Sequence, residues 1–134
     1  MSIISQFSFE NIDEPRGYIR KIAKDVDVLE IFSRKGSIRA DHYHLESSHL
    51  CKLLSGSMLY FARPAFRAYL KPTKWEIKAG DYFFTDKLIE HQMCFLEDSI
   101  FLCFSFGSRK QEDYEKDLVR IPYSLKELYD NWKD

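Results

Sequence analysis

Apolar and polar residues alternate in short segments along most of this chain. Alternation with a period of two is typical of β-strands with one buried face, and the segments are rich in β-branched and aromatic residues, which strands favour. Turn-forming residues separate them. The predicted strands are Ile3–Phe9, Tyr18–Ile22, Val26–Phe32, Leu50–Leu54, Ser57–Arg63, Trp75–Lys78 and Tyr82–Thr85, with a turn at Asn11–Gly17. Short strands at this density predict an antiparallel, all-β sandwich or barrel.

The pattern changes towards the C-terminus. Ile100–Phe106 is a nearly continuous apolar run, which predicts a strand buried on both faces. Beyond Gly107, where we expect the barrel to end, Gln111–Val119 predicts a turn or two of helix. Ser124 and Glu127 then form a capping box, S-x-x-E. Apolar residues follow at helical spacing and predict an amphipathic helix over 124–132 that packs on the barrel or on a partner: Leu125, Leu128, Tyr129 and Trp132.

Composition and charge fit a single globular domain. The chain has 134 residues, of which 45% are hydrophobic and 16% aromatic, so it can bury a sizeable core. The formal net charge of -1, with both signs interspersed, argues against nucleic acid or an anionic membrane surface as a partner.

Two further features predict a cytoplasmic protein. No apolar run approaches the ~20 residues of a transmembrane helix, and the first residues lack the basic start and apolar stretch of a signal peptide. Cys51, Cys94 and Cys103 lie inside apolar runs and are odd in number. We expect them to be reduced, buried thiols that act as small hydrophobic residues.

The four histidines are the main candidates for chemistry. His42, His44 and His49 fall within eight residues, and His91 lies beside a later strand-like run. In an extended strand, His42 and His44 project from one face. A lone histidine on an apolar face is more often a hydrogen-bonded core residue, but clustered imidazoles are ligands that transition metals prefer.

The spacing of these residues resembles that of the cupin superfamily. The first cupin motif reads Gly, five residues, His-x-His, three or four residues, Glu, six residues, Gly. Gly36, His42, His44, His49 and Gly56 keep this spacing, with His49 at the position of Glu. The second motif reads Gly, five residues, Pro-x-Gly, two residues, His, three residues, Asn. Gly80 and His91 keep its spacing, whereas Asp86, Leu88 and Phe95 stand at the Pro, Gly and Asn positions.

The resemblance implies an RmlC-like jelly-roll barrel, an antiparallel double-stranded β-helix over about residues 18 to 107. We expect one cupin domain over 1–134, with a helical extension over 108–134. The resemblance also implies that His42, His44, His49 and His91 hold one divalent metal inside the barrel. Because imidazole replaces the usual carboxylate, such a site favours Zn, Ni, Cu, Fe or Mn over Mg or Ca. An octahedral metal would keep two positions for water or a small polar ligand.

Three functions stay open at this point. A metal-dependent enzyme would polarise a carbonyl or enolate, or activate dioxygen. A metal-free enzyme similar to the sugar-nucleotide isomerases and epimerases of deoxysugar pathways would use His42 or His44 as base and Tyr60 or Tyr82 as acid. A binding module without catalysis is the third, because a fold does not fix a function.

Two basic features bear on the second of these functions. The opening IDEPRGYI is loosely similar to the D-x-R-G start of those enzymes, which makes Arg16 a candidate phosphate contact. The basic segment Arg63–Lys74 would then meet a diphosphate at the barrel mouth. A solvated cationic loop is the simpler interpretation of that segment.

Apolar surface predicts a homodimer. Leu50 and Leu54 point outward if His49, Cys51 and Leu53 point inward, and the predicted helix 124–132 adds an apolar face. A small barrel does not need this much apolar surface to cover itself. Cupins also commonly pair, as the resemblance implies.

Overall fold

The computed structural model describes residues 10–22, 27–106 and 116–134. Within them the chain forms two antiparallel sheets and a short helix that we call α1. The strands are β1 (Glu10–Glu14), β2 (Gly17–Lys21), β3 (Val28–Ser33), β4 (Ile38–His44), β5 (Ser48–Ser55), β6 (Ser57–Pro64), β7 (Thr73–Lys78), β8 (Tyr82–Thr85), β9 (Ile89–Phe95), β10 (Ser99–Phe106) and β11 (Leu118–Arg120), and α1 is Leu125–Asp130.

Most neighbouring strands in the sheets are not consecutive in the sequence. The first sheet has the order β1-β2-β3-β10-β5-β8, and the second has the order β11-β4-β9-β6-β7. The two sheets form a jelly roll, which confirms the predicted all-β class. Their facing sides bury one apolar cluster between them, whose largest fully buried members include Leu53, Met58 and Phe101.

Alternation explains this core. Along β5, Cys51 and Leu53 are buried, and along β10, Phe101 and Cys103 are buried, while their neighbours are more accessible. Every second residue of each strand therefore faces the other sheet. Cys94 belongs to a separate cluster outside the second sheet. All three cysteines are free and buried, as predicted.

The predicted N-terminal turn is wrong over most of its length. Glu10–Glu14 is β1, which pairs with β2 in a register that places Ile12 opposite Ile19. Only Pro15 and Arg16 lie between the two strands. The sequence of β1 is mostly charged and polar and therefore does not show the pattern of a strand. Pairing with β2 at the edge of the sheet stabilises it in this conformation. The predicted strand Ile3–Phe9 lies outside the described residues.

Two C-terminal predictions also need correction. β10 alternates between buried and partly exposed residues and ends at an exposed Phe106, so it is not buried on both faces. The predicted helix Gln111–Val119 is wrong at its end, because Leu118–Arg120 is β11 and pairs with the edge of β4. Residues 111–115, and Gly107 at the expected end of the barrel, lie outside the described residues.

Helix α1 begins as the sequence predicts. The Ser124 side chain accepts a hydrogen bond from the Glu127 backbone amide, which satisfies one of the helix's first donors. Leu125 is fully buried in the cluster that covers the outer face of the second sheet, together with Phe61 and Cys94. The helix therefore packs on its own barrel. Among the described residues, no helix combines the length and apolar character that a membrane crossing requires.

Candidate functional site

The four histidine rings meet at one end of the barrel interior. His42 and His44 lie on β4, His49 on β5 and His91 on β9. The ring centroids are 4.8 Å apart for His42 and His44, 4.7 Å for His42 and His91, and 4.3 Å for His44 and His49. Residues from both sheets thus form one imidazole cluster.

A β-bulge in β4 turns His42 and His44 into the barrel. Ala40 pairs with Gln92 and His42 pairs with His91, which leaves Asp41 as an extra residue. Ala40 and Asp41 have φ values of 79° and 60°. One extra residue inverts the alternation of a strand. Without it, His42 would point out of the barrel.

Hydrogen bonds to Nδ1 orient two of the rings. His44 Nδ1 lies 2.9 Å from Asp117 Oδ2, and His91 Nδ1 lies 2.9 Å from the Ile89 carbonyl oxygen. A carboxylate and a carbonyl only accept, so each Nδ1 carries the proton. The lone pair of each of these rings is therefore on Nε2. Outer contacts of this kind fix tautomer and ring orientation in metal sites.

Asp117 is itself held in place by the turn between β4 and β5. Its Oδ1 accepts from the backbone amides of Glu46 at 2.6 Å and Ser47 at 3.2 Å, and the Ser47 hydroxyl donates to Oδ2. Although burial raises it, these hydrogen bonds hold the pKa of Asp117 below its ordinary value. The carboxylate is thus ionised and available to His44.

His49 combines a bonded Nδ1 with a buried Nε2. Its Nδ1 lies 3.0 Å from Ser105 Oγ and 3.3 Å from Cys103 Sγ. Its Nε2 is buried and has no hydrogen-bond partner among the described residues. A buried polar nitrogen without a partner carries a desolvation cost, which coordination by a metal would offset.

Burial keeps the imidazoles of His42, His44 and His91 neutral by lowering their pKa values. It lowers the pKa of His42 to about 2, with further lowering by the neighbouring rings. It lowers the pKa of His91 to about 3, against the raising effect of the hydrogen bond to Ile89. It also lowers the pKa of His44, against the raising effect of Asp117. Neutral imidazole is the form that binds metals.

The three donor atoms are close enough for a metal ion if the rings move inward on binding. His42, His44 and His91 offer ligand atoms that all lie within 4.8 Å of one another. Nitrogens about 2.0–2.1 Å from a tetrahedral zinc lie about 3.4 Å apart. The widest pair would therefore close by up to about 1.4 Å, and His49 would join from beside His44.

Tyr60 and Thr85 form a wall next to the histidines. The Tyr60 ring is stacked near His91, with 6.2 Å between centroids, and its hydroxyl is hydrogen bonded to the Thr85 hydroxyl. Both residues are buried. Burial raises the pKa of Tyr60, so the phenol holds its proton tightly at neutral pH.

Two candidates for the metal-free mechanism lie away from the site. Tyr82 is 63% exposed and lies on the outer side of β8, where Lys52 contacts its ring. Arg16 is paired with Glu14 at the opposite end of the first sheet. Six residues of β10 separate that end from the partner of His49, a distance of roughly 20 Å at ~3.3 Å per residue. Neither side chain can contact the histidines of the same chain.

The basic segment Arg63–Lys74 turns away from the rings. Arg63 is buried and pairs with Glu90 at 3.1 Å, outside the second sheet. The ammonium groups of Lys71 and Lys74 lie 4.6 Å and 5.1 Å from the centre of the Tyr129 ring on α1. These three cations therefore contact groups on the outer face of the second sheet and on α1, and not the histidines.

Sequence reasoning missed the residues that support the histidines. Asp117 is 73 positions from His44 and falls in a segment that was predicted as helix. Ser105 is the one polar residue in the nearly continuous apolar run Ile100–Phe106. Only the β11–β4 and β10–β5 pairings bring these two side chains to the rings, and no local pattern encodes those pairings.

No protein-family profile matches the sequence, and neither does any curated protein. Solved structures do match. The capsular polysaccharide assembling protein CapF from Staphylococcus aureus aligns with a TM-score of 0.75 and 12% identity, over 88% of this chain and 34% of that one. This chain thus spans about a third of CapF.

Two sugar-nucleotide enzymes match over most of both chains. The dTDP-4-dehydrorhamnose 3,5-epimerase from Sulfolobus tokodaii aligns with a TM-score of 0.62 and 22% identity, over 89% of this chain and 84% of that one. WlaRA, a TDP-fucose-3,4-ketoisomerase from Campylobacter jejuni, aligns with a TM-score of 0.56 and 23% identity, over 91% of this chain and 90% of that one.

Proposed function

We propose that this chain, which has the RmlC-like cupin fold, binds one divalent transition metal through His42, His44, His49 and His91. The metal would hold a small polar molecule at the end of the barrel. Zn, Ni, Fe and Mn are the candidate ions, because imidazole donors suit them better than they suit Mg or Ca.

One observation carries the proposal: His42, His44 and His91 offer ligand atoms within 4.8 Å of one another, beside His49. Hydrogen bonds from Nδ1 to Asp117 and Ile89 place the lone pair of His44 and of His91 on Nε2. In the tautomer of His49 that donates to Ser105, the lone pair lies on Nε2, which is buried and has no hydrogen-bond partner among the described residues. Burial of that nitrogen without a metal carries a cost.

The protein's own residues would prepare the site in three ways. Asp117, Ile89 and Ser105 would hold the rings in position. Tyr60 and Thr85 would line one side of the site and limit the access of water to it. The depressed histidine pKa values would keep protons off the donor atoms near neutral pH. A bound divalent ion would supply Lewis-acid polarisation of a carbonyl or similar group on the ligand.

A metal-free sugar-nucleotide isomerase or epimerase is the second candidate. Two of the matched structures carry such activities in their names, and Tyr60 lies beside His91 as an acid and base pair would. We favour the metal because a general base needs one oriented imidazole, whereas four rings converge here. In the second candidate Tyr60 rather than the exposed Tyr82 would be the acid.

Metal analysis tests the proposal. The protein would be purified without added metal, analysed by inductively coupled plasma mass spectrometry, and titrated with Zn²⁺ against a chromophoric chelator. We expect about one metal per chain. His91→Ala should weaken Zn²⁺ binding by more than the 10- to 100-fold that loss of an outer partner costs. Tyr60→Phe, which leaves all four rings intact, should bind as the wild type does.

The two candidates give opposite results in this experiment. A wild-type protein without metal that binds thymidine diphosphate, and loses no Zn²⁺ affinity in His91→Ala, would overturn the metal proposal and support the histidine-base enzyme. Tight Zn²⁺ binding that depends on His91 would support the metal proposal.

A further inference from the structure

A pocket lies outside the barrel, against the outer face of the second sheet. Its volume is about 270 Å³. The residues that line it include three aromatic residues and three arginines: Tyr43, Phe66, Tyr123, Arg63, Arg67 and Arg120.

This pocket is on the reverse side of the strands that carry the histidines. Tyr43 lies between His42 and His44 on β4, and Glu90 precedes His91 on β9. Adjacent strand residues point to opposite faces. The pocket and the imidazole cluster are therefore back to back, with the sheet between them.

The floor of the pocket is a fixed polar network. Arg63 and Glu90 are 4% and 3% exposed, and Arg63 Nε lies 3.1 Å from Glu90 Oε1. Arg63 also donates to the carbonyl oxygens of Ala68 and Leu70 at 3.3 Å and 3.2 Å, and the Tyr123 hydroxyl donates to Glu90. The network holds the loop after β6 against the sheet and leaves the pocket shape pre-formed.

The charge in the pocket is positive. Glu90 balances Arg63, whereas Arg67 adds a further cation to the lining. Arg120 pairs with His42 and lies between Val119 and Ile121 of the outer cluster, so its side chain is on the histidine side of the sheet. Among the described residues, Arg67 donates to the Tyr69 hydroxyl at 3.0 Å, which uses one of its five N–H donors. A guanidinium matches a phosphate or carboxylate group.

Phe66 is strained and exposed at the rim. It has a φ of 65°, a left-handed conformation that is unusual for a bulky residue, and it is 77% exposed. Its ring meets Tyr43 edge-on, with 5.7 Å between centroids. Neither burial nor turn chemistry explains an aromatic ring held there, and strain of this kind tends to accompany ligand clamps.

We propose that this outer pocket binds a small planar molecule that carries a phosphate or carboxylate group. Arg67 takes the anion, and Phe66 and Tyr123 contact the ring. The volume of about 270 Å³ accommodates a ligand of one ring and its anionic group. The inference is independent of the metal proposal.

Isothermal titration calorimetry with phenyl phosphate tests the pocket on the chelator-treated full chain, so that no metal can take the phosphate. Phenol, which has the ring alone, and inorganic phosphate, which has the anion alone, are titrated for comparison as half-ligands. The pocket variant is Arg67→Gln. The controls are Arg120→Gln, on the histidine side of the sheet, and Arg34→Gln. Arg34 is an exposed arginine near the Phe32 ring, at 5.7 Å from its centroid, and is not part of the pocket lining. His91→Ala tests whether phenyl phosphate binds at the histidines inside the barrel instead.

We expect phenyl phosphate to bind more tightly than either half-ligand. Arg67→Gln should weaken binding by about tenfold or more, the cost of one charge-assisted hydrogen bond, while Arg120→Gln, Arg34→Gln and His91→Ala bind as the wild type does. Arg67→Gln should remain folded by circular dichroism and should keep its Zn²⁺ affinity. Absence of binding at millimolar ligand, binding by Arg67→Gln that is as tight as that of the wild type, or loss of binding in His91→Ala would each overturn the proposal.

Discussion

Replacing Asp117 with Asn tests whether the outer hydrogen bonds prepare the histidines for a metal. The substitution keeps the shape of the side chain and removes its charge. Oδ1 accepts from two backbone amides, so the new amide nitrogen takes the Oδ2 position. There it meets the proton on His44 Nδ1, which the carboxylate accepts at 2.9 Å in the wild type.

Two donors cannot face each other, so His44 must change. The lowest-cost response is the other tautomer, in which Nδ1 accepts from Asn and Nε2 carries the proton. That proton occupies the lone pair the metal needs. We expect Zn²⁺ affinity to fall by about 10- to 100-fold. Loss of the charge-assisted bond should also lower the free energy of unfolding by roughly 1.5–3 kcal/mol.

The assay is a competition titration of Zn²⁺ against a chromophoric chelator, with urea unfolding in parallel. Asp81→Asn is the matched control, since Asp81 also accepts from a backbone amide, that of Lys78 at 2.8 Å, but in an exposed turn. Zn²⁺ binding by Asp117→Asn as tight as that of the wild type, or an equal loss of affinity in Asp81→Asn, would show that Asp117 does not prepare His44 for a metal.

Three further predictions concern stability and assembly. Metal-free protein should lose stability in acid, because His42 and His91 titrate near 2 and 3 when folded and near 6.5 when unfolded, so the unfolded chain gains protons first. From pH 7 to 5 the free energy of unfolding should fall by up to about 2 kcal/mol for each ring; no change in urea titrations would contradict this. Gly56→Ala should destabilise more than Gly36→Ala, because both have positive φ but only at Gly56 would a Cβ overlap Ser99, and equal urea midpoints would refute the overlap. Light scattering should give twice the 16.0 kDa chain mass if the predicted homodimer forms, and a 16.0 kDa particle would count against it.

The sequence predicted the parts of this molecule that depend on local spacing. β8 matches its predicted bounds, and Ser124 caps α1 as the capping box indicated. The resemblance to the cupin motifs also predicted that all four rings meet at one locus, which their centroid distances confirm, whereas the metal stays a prediction.

The features that the sequence did not predict depend on pairing between strands that are far apart in the chain. The bulge at Asp41 inverts the alternation of β4, so that Arg39 points into the barrel together with His42. Arg39 is buried there and is paired with Glu14 of β1. The composition of β1 had led us to predict a turn in this segment. Asp117 reaches His44 only because β11 joins the edge of the second sheet.

X-ray absorption spectroscopy of the full chain loaded with one equivalent of Zn²⁺ tests the metal proposal most directly. The proposal predicts a first shell of nitrogen at about 2.0–2.1 Å with the outer-shell scattering of three to four imidazoles, and the loss of one imidazole in His91→Ala. A first shell dominated by oxygen, or a spectrum that His91→Ala leaves unchanged, would mean that the metal binds elsewhere and that the four histidines of this barrel do not form its site.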